Sequence, residues 1–156
     1  MVLDKQLGNG CTWINLDIEK IKNLEDLSEI YGLDKETIEY ALDRNERAHM
    51  DYNRENGTVT FIYNVLDLEK DKEYYEAIPM TFIVEKQRMI TISNHKNAYV
   101  IERMLTYLKT HETISIYKFL FASLELISNA YYPVIEEMDK SKDEKMCIRD
   151  RSQSLP

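Results

Sequence analysis

The chain has 156 residues, with 20 Lys and Arg against 28 Asp and Glu and a formal charge of −8 at pH 7. A chain of that length buries about two-thirds of its unfolded surface in one core, and its negative field opposes a long polyanion, which argues against a nucleic-acid partner. Met1 to Gly10 lacks a cationic segment followed by an apolar run, so no signal peptide is visible, and the longest apolar stretch, Phe119 to Ile135, is interrupted by Glu125 and Asn129 and is one-sided, unlike a lipid-facing span.

Residues 1–10 read as an N-terminal tail. Cys11 to Leu16 reads as a short strand carrying the only Trp. Asn23 can cap a helix whose apolar stripe is Leu24, Leu27, Ile30 and Tyr31, and Gly32 ends it. Asp34 starts a second helix through Leu42, with Ile38, Ala41 and Leu42 inward and Glu36 and Glu39 outward. Met50 to Glu55 and Thr58 to Leu68 flank Asn56-Gly57, a dipeptide suited to a type I′ hairpin turn. The polar linker Asp67 to Tyr74 leads to a strand over Glu76 to Glu85, where Pro79 argues for an edge or a bulge, and then to Met89 to Asn94.

From Ala98 the period becomes helical, with Val100, Ile101, Met104, Leu105 and Leu108 on one side. A longer helix begins near Ser115, in which Tyr117, Leu120, Leu124, Ile127, Tyr131, Val134 and Met138 step by 3, 4, 3, 4, 3 and 4, the a/d pattern of a seam that seeks a helical partner. Leu120, Leu124, Ile127 and Tyr131 are therefore the candidate interface residues. Pro133 is expected to kink this helix at a cost of about 3 kcal/mol. The expected architecture is α+β, layered α/β/α: a small mixed sheet of four or five strands flanked by helices, followed by a long helical extension. Its parts are a head over residues 11–112, the start of a stalk over 113–140, and a polar, aperiodic tail over 141–156 that reads as foreign to the native protein.

Signatures of catalysis are missing. His49, His95 and His111 are separated by 46 and 16 residues, which excludes the i, i+4 spacing that puts two imidazoles on one metal. Cys11 and Cys147 show no CxxC spacing and suit a reducing compartment. No GxSxG, HExxH, GxGxxG or phosphate loop occurs. A hydrolase built on Asp43, Glu46 and Asp51 would still need a nucleophile and an oxyanion donor, so the chain does not read as an enzyme. What remains is carboxylate: Asp43, Glu46, Asp51 and Glu55 after the second helix, and Asp67, Glu69, Asp71 and Glu73 in the linker. Any one of these is most simply solvated charge. Clustered at a subunit interface, however, hard oxygen donors can hold a Mg²⁺ that keeps most of its water.

Trp13-Ile14-Asn15-Leu16, the Gly32-Leu33 break, Ile38 to Asp43, Arg47-Ala48-His49-Met50-Asp51, Val59 to Val65, and Ile78 to Val84 followed by Met89 to Ser93 together resemble the amino-terminal domain of CorA-type magnesium and cobalt transporters, over roughly residues 11–140. The resemblance implies the cytosolic part of a homopentameric membrane channel, on the cytoplasmic side, in which carboxylates between neighbouring subunits weakly bind regulatory Mg²⁺, with Co²⁺ as a second ion. It makes Asp51 the leading metal residue, at the acidic end of the family's Arg-Pro-basic-apolar-acidic stretch, with Glu46 and Asp43 beside it. Ala48 stands where the family usually has Pro. The Gly-Met-Asn motif and both membrane helices that would anchor the protein are absent, so the chain reads as a truncated piece that cannot itself conduct ions. The alternative is a free-standing interaction module that self-associates through its long helix.

Overall fold

The computed structural model describes residues 2–69 and 74–153, with side chains through residue 149. Six strands form one sheet in the order β1-β2-β6-β5-β4-β3: β1 Val2–Gly8, β2 Cys11–Asp17, β3 His49–Asn53, β4 Thr58–Leu66, β5 Ala77–Val84 and β6 Arg88–Ser93. Only β2 and β6 run parallel, with Asn15 beside Thr91. The chain reaches β6 from β2 by way of α1 Glu25–Glu29, α2 Lys35–Leu42 and the meander β3-β4-β5. It then adds α3 Ala98–Leu108 and α4 Ile116–Gln153.

Period-two alternation divides the buried side chains between two faces. Trp13, Phe82, Val84 and Met89 join Val100, Met104, Phe119 and Ile127 in a core under α3 and α4. Ile14, Leu16, Ile83, Ile90 and Ile92 join Leu27 and Leu33 in a second core under α1 and α2. The layered α/β/α arrangement of the sequence reading is thus present, with both faces of the central strands covered. Helix α1 ends as its sequence requires: Gly32, at positive φ, donates its N–H to Ser28 O in an αL closure, and Leu33 N–H donates to Leu27 O, with Leu27 and Leu33 both buried. Asp34 caps α2 by accepting from Thr37 N–H at 2.7 Å. The buried residue of α2 is Thr37, whose hydroxyl lies 3.4 Å from that of Thr60, while Leu42, expected inside, is 44% exposed.

Three expectations are corrected. Residues 2–8 are an edge strand rather than a tail; Leu7 is its one fully buried side chain, so little hydrophobic alternation marks it. The type I′ geometry belongs to Asn9-Gly10, where both φ angles are positive (52° and 72°) and Gly8 pairs with Cys11. At Asn56-Gly57 only Gly57 has positive φ, and a four-residue loop closes through Gly57 N–H to Asn53 O at 2.9 Å. Finally, α4 runs on through Pro133 and the polar segment to Gln153. Its residues from 135 to 149 are all exposed, so they need no apolar period, and Lys, Glu, Asp and Met extend a helix already nucleated on the body.

Candidate functional site

Tyr40, near the end of α2, stands between Glu36 and the His49 imidazole. Its hydroxyl donates to Glu36 Oε1 at 2.6 Å, one turn back on α2. Its ring meets the His49 imidazole edge to face at 4.8 Å. Glu46 lies beside the same imidazole, 3.6 Å from Nδ1, and accepts from Arg47 N–H. Asp51 sits on edge strand β3 opposite Thr60, the residue that contacts α2, and its Oδ1 accepts from Tyr52 N–H. The Tyr40 phenol is pushed up to about 12, first by its hydrogen bond to Glu36, then by desolvation and by the negative charges of Glu36, Asp51 and Glu46. Asp51, carried by β3, and Glu46, carried by the α2–β3 connection, thus lie on the side of the sheet that α2 covers.

Asp43 is placed differently. It is the C-terminal cap residue of α2, and its Oδ1 accepts from Asn45 N–H at 2.8 Å. Among the described residues no group of three or more His, Cys, Asp or Glu could hold a metal ion within one chain. The structure thus sets Glu46 beside His49, with Asp51 two residues on along the same face of β3, and leaves Asp43 at the helix end. Of the linker carboxylates, Asp71 and Glu73 lie outside the described residues.

A second polar group occupies the β2–β6 ladder. Trp13 Nε1–H donates to Thr91 Oγ1 at 3.0 Å, Thr91 donates to Asn15 Oδ1 at 2.8 Å, and Asn15 Nδ2 donates to Ser93 Oγ at 3.0 Å, all out of solvent. Beyond the C-terminal ends of these strands, Lys96 Nζ reaches the buried Asp67 at 2.7 Å and His95 Nδ1 reaches Glu19 at 2.6 Å. The His95 hydrogen bond outweighs desolvation and holds the Glu19 carboxyl below its usual range. These pairs fasten the β6–α3 turn to its neighbours.

A family model described as CorA-like Mg²⁺ transporter protein matches residues 8–145 of this chain. The chain belongs to that family. Among solved structures, the soluble domain of CorA from Methanocaldococcus jannaschii superposes with a TM-score of 0.68 at 18% identity, over 86% of this chain and 54% of that one. The complete CorA magnesium transporter from the same organism gives 0.68 at 19% identity, over 86% of this chain and 42% of that one. The ZntB cytoplasmic domain from Vibrio parahaemolyticus RIMD 2210633 gives 0.67 at 11% identity, over 86% of this chain and 54% of that one. At these identities the likeness is one of fold, and the chain spans about half the length of the domains it matches. No curated protein matches the chain. Among the described residues no helix is long and apolar enough to cross a membrane.

In this CorA-like chain the α4 seam finds its partner at home. Ile127 is fully buried, and Leu120, Leu124 and Tyr131 pack partly against the same core, with Tyr131 OH donating to Asn64 O at 3.0 Å. The four candidate interface residues thus face the chain's own sheet and α3. The large apolar side chains that α4 leaves exposed include Tyr117, Phe121, Tyr132, Ile135, Met138, Met146 and Ile148. The seam's period was legible, but a heptad pattern does not say whether a second chain or the chain's own sheet fills it. The Tyr40–Glu36 pair has a sequence signal in its i, i+4 spacing, which places both on one helix face.

Proposed function

We propose that this chain is the divalent-cation-sensing part of a longer membrane transporter, and that Asp51, with Glu46, holds a hydrated Mg²⁺ between neighbouring copies on the cytoplasmic side of the membrane. The reading is supported by Asp51 lying on the same face of edge strand β3 as His49, whose imidazole packs on Tyr40 and has Glu46 3.6 Å away, in a CorA-like chain. Carboxylates fit the ion: Mg²⁺ takes hard oxygen donors, keeps several waters, and is held by one or two carboxylates rather than by a closed cage. Asp43 serves as a more distant acidic neighbour, and Co²⁺ suits the same oxygen donors less selectively.

Bare acidic edges on adjacent copies repel one another, so an ion that binds better between copies than to a single one favours the associated state by that difference in affinity. In the intact protein, a pentamer anchored by membrane helices outside this sequence, loss of Mg²⁺ then loosens the ring. The head, which includes strand β1, reads the ion, and helix α4 transmits the change. Sedimentation velocity of the purified chain tests this. Millimolar Mg²⁺ should shift it toward larger species, Asp51→Ala should reduce the shift, and the exposed substitution Glu29→Ala, on α1, should leave it intact. Equal profiles with and without Mg²⁺ would refute the sensing role.

A further inference from the structure

Two Asn-Gly pairs, Asn9-Gly10 and Asn56-Gly57, occupy exposed hairpin turns of the same sheet, the first between β1 and β2 and the second between β3 and β4. Asn-Gly is prone to spontaneous loss of ammonia, because glycine carries no side chain to hinder attack of its own backbone nitrogen on the neighbouring carboxamide. The dipeptide is the same at both places, so a difference between them in the folded chain comes from the turn that holds it.

The two turns hold the reacting atoms differently. At the second pair both are engaged: Gly57 N–H donates to Asn53 O at 2.9 Å, and Asn56 Oδ1 accepts from Thr58 N–H at 2.9 Å. Asn53 Oδ1 accepts in addition from Glu55 N–H at 2.9 Å, which ties the loop at a third point. At the first pair, Gly8 and Cys11 close the type I′ turn and its two central residues stand outside the ladder. Among the described residues neither the Gly10 N–H nor the Asn9 carboxamide has a hydrogen-bond partner. The space around Gly10 is open as well, since an added Cβ there would meet the Gln87 side chain at 3.7 Å, ordinary van der Waals contact.

We propose that Asn9 is the deamidation site of the folded chain, with Asn56 protected by its turn. The Gly10 backbone nitrogen, having lost its proton to hydroxide, attacks Asn9 Cγ and forms the new C–N bond of a succinimide. The bond from Cγ to the carboxamide nitrogen breaks, and that nitrogen takes a proton from water and leaves as ammonia. Water then opens the ring at either carbonyl, giving aspartate or isoaspartate, so that one ammonia leaves, one water enters and no oxidant or cofactor takes part. The product lies beside Gly8, whose Cα faces Thr113, and close to Leu7, whose carbonyl accepts from Ile114 N–H at 3.0 Å. A new carboxylate, and in the isoaspartyl form one more backbone carbon, thus arise next to the connection that leads into α4. This site is independent of the cation-sensing reading.

The test incubates the full chain at mildly alkaline pH in heavy-oxygen water, folded and in parallel unfolded in urea. After return to ordinary water, tandem mass spectrometry follows isotope-labelled acid at Asn9 in tryptic peptide 6–20 and at Asn56 in peptide 55–70. Two hydrogen bonds have to open before Gly57 N reaches the Asn56 carboxamide, and each shifts a ratio by about 2- to 10-fold, so Asn9 should react about 4- to 100-fold faster than Asn56 in the folded chain. In urea that advantage should vanish. Asn9→Gln should remove the label from position 9 and leave the rate at Asn56 unchanged. Equal rates in the folded chain, faster reaction at Asn56, or the same ratio in urea as in the folded chain would each overturn the assignment.

Discussion

Trp13 and Thr91 are joined across the parallel pair at the centre of the sheet, the indole N–H donating to the threonine hydroxyl at 3.0 Å where neither side chain reaches solvent. Thr91 in turn donates to Asn15, so its one hydroxyl satisfies two buried groups. Thr91→Val should therefore orphan both, at about 1–3 kcal/mol each, and lower the urea midpoint more than Thr91→Ser, which keeps the hydroxyl. Equilibrium urea unfolding of the two variants checks the order.

The Asp67–Lys96 pair sets an acid-sensitive stability. Burial raises the Asp67 pKa, but the Lys96 hydrogen bond, the Glu69 amide and the nearby positive charge outweigh it and hold the carboxyl below its ordinary 3.8. The folded chain then binds fewer protons at this site than the unfolded one. The stabilisation is present in full above the unfolded value and is lost as pH falls below about 4. Asp67→Asn should flatten the stability profile in that range and cost about 1.5–3 kcal/mol at pH 7, as read from urea unfolding at a series of pH values.

Opposite faces of α4 should respond unequally. Ile127 is fully buried and Phe121 is 67% exposed. Ile127→Ala should cost about 2–5 kcal/mol, whereas Phe121→Ala should stay within about 0.5 kcal/mol. Thermal or urea unfolding distinguishes them, and the reverse order would place the seam between chains.

These contrasts explain how far the sequence could be read. Both layers of helix, the strands from Cys11 onward and the Gly32 stop follow from hydrophobic period and turn chemistry, which act over a few residues. Strand β1 is silent in the sequence because an edge strand with a single fully buried side chain carries no pattern, and the type I′ turn expected at Asn56-Gly57 forms instead at Asn9-Gly10, beside that silent strand. At the site, Asp51 and Glu46 were legible as acidic residues near one another in the chain. Their shared neighbour Tyr40 was not, because it reaches them only when β3 pairs with β4 and brings Asp51 to the α2 side of the sheet.

Tyr40 supplies the last prediction. Glu36 is the first cause of its upward shift to about 12, ahead of desolvation and the charges of Asp51 and Glu46. At pH 11 the Tyr40 phenol should thus remain largely protonated while ordinary tyrosines ionise near 10. Glu36→Gln removes both the charge-assisted acceptor and one of the negative charges, so the Tyr40 pKa should fall toward 10. Asp51→Asn should lower it by less, since that carboxylate acts only through its field. The ring carbon bearing the hydroxyl, followed by NMR through the titration, reports each value. If Glu36→Gln leaves the titration in place while Asp51→Asn moves it, the hydrogen bond is not the dominant cause and the phenol is reading the acidic edge directly.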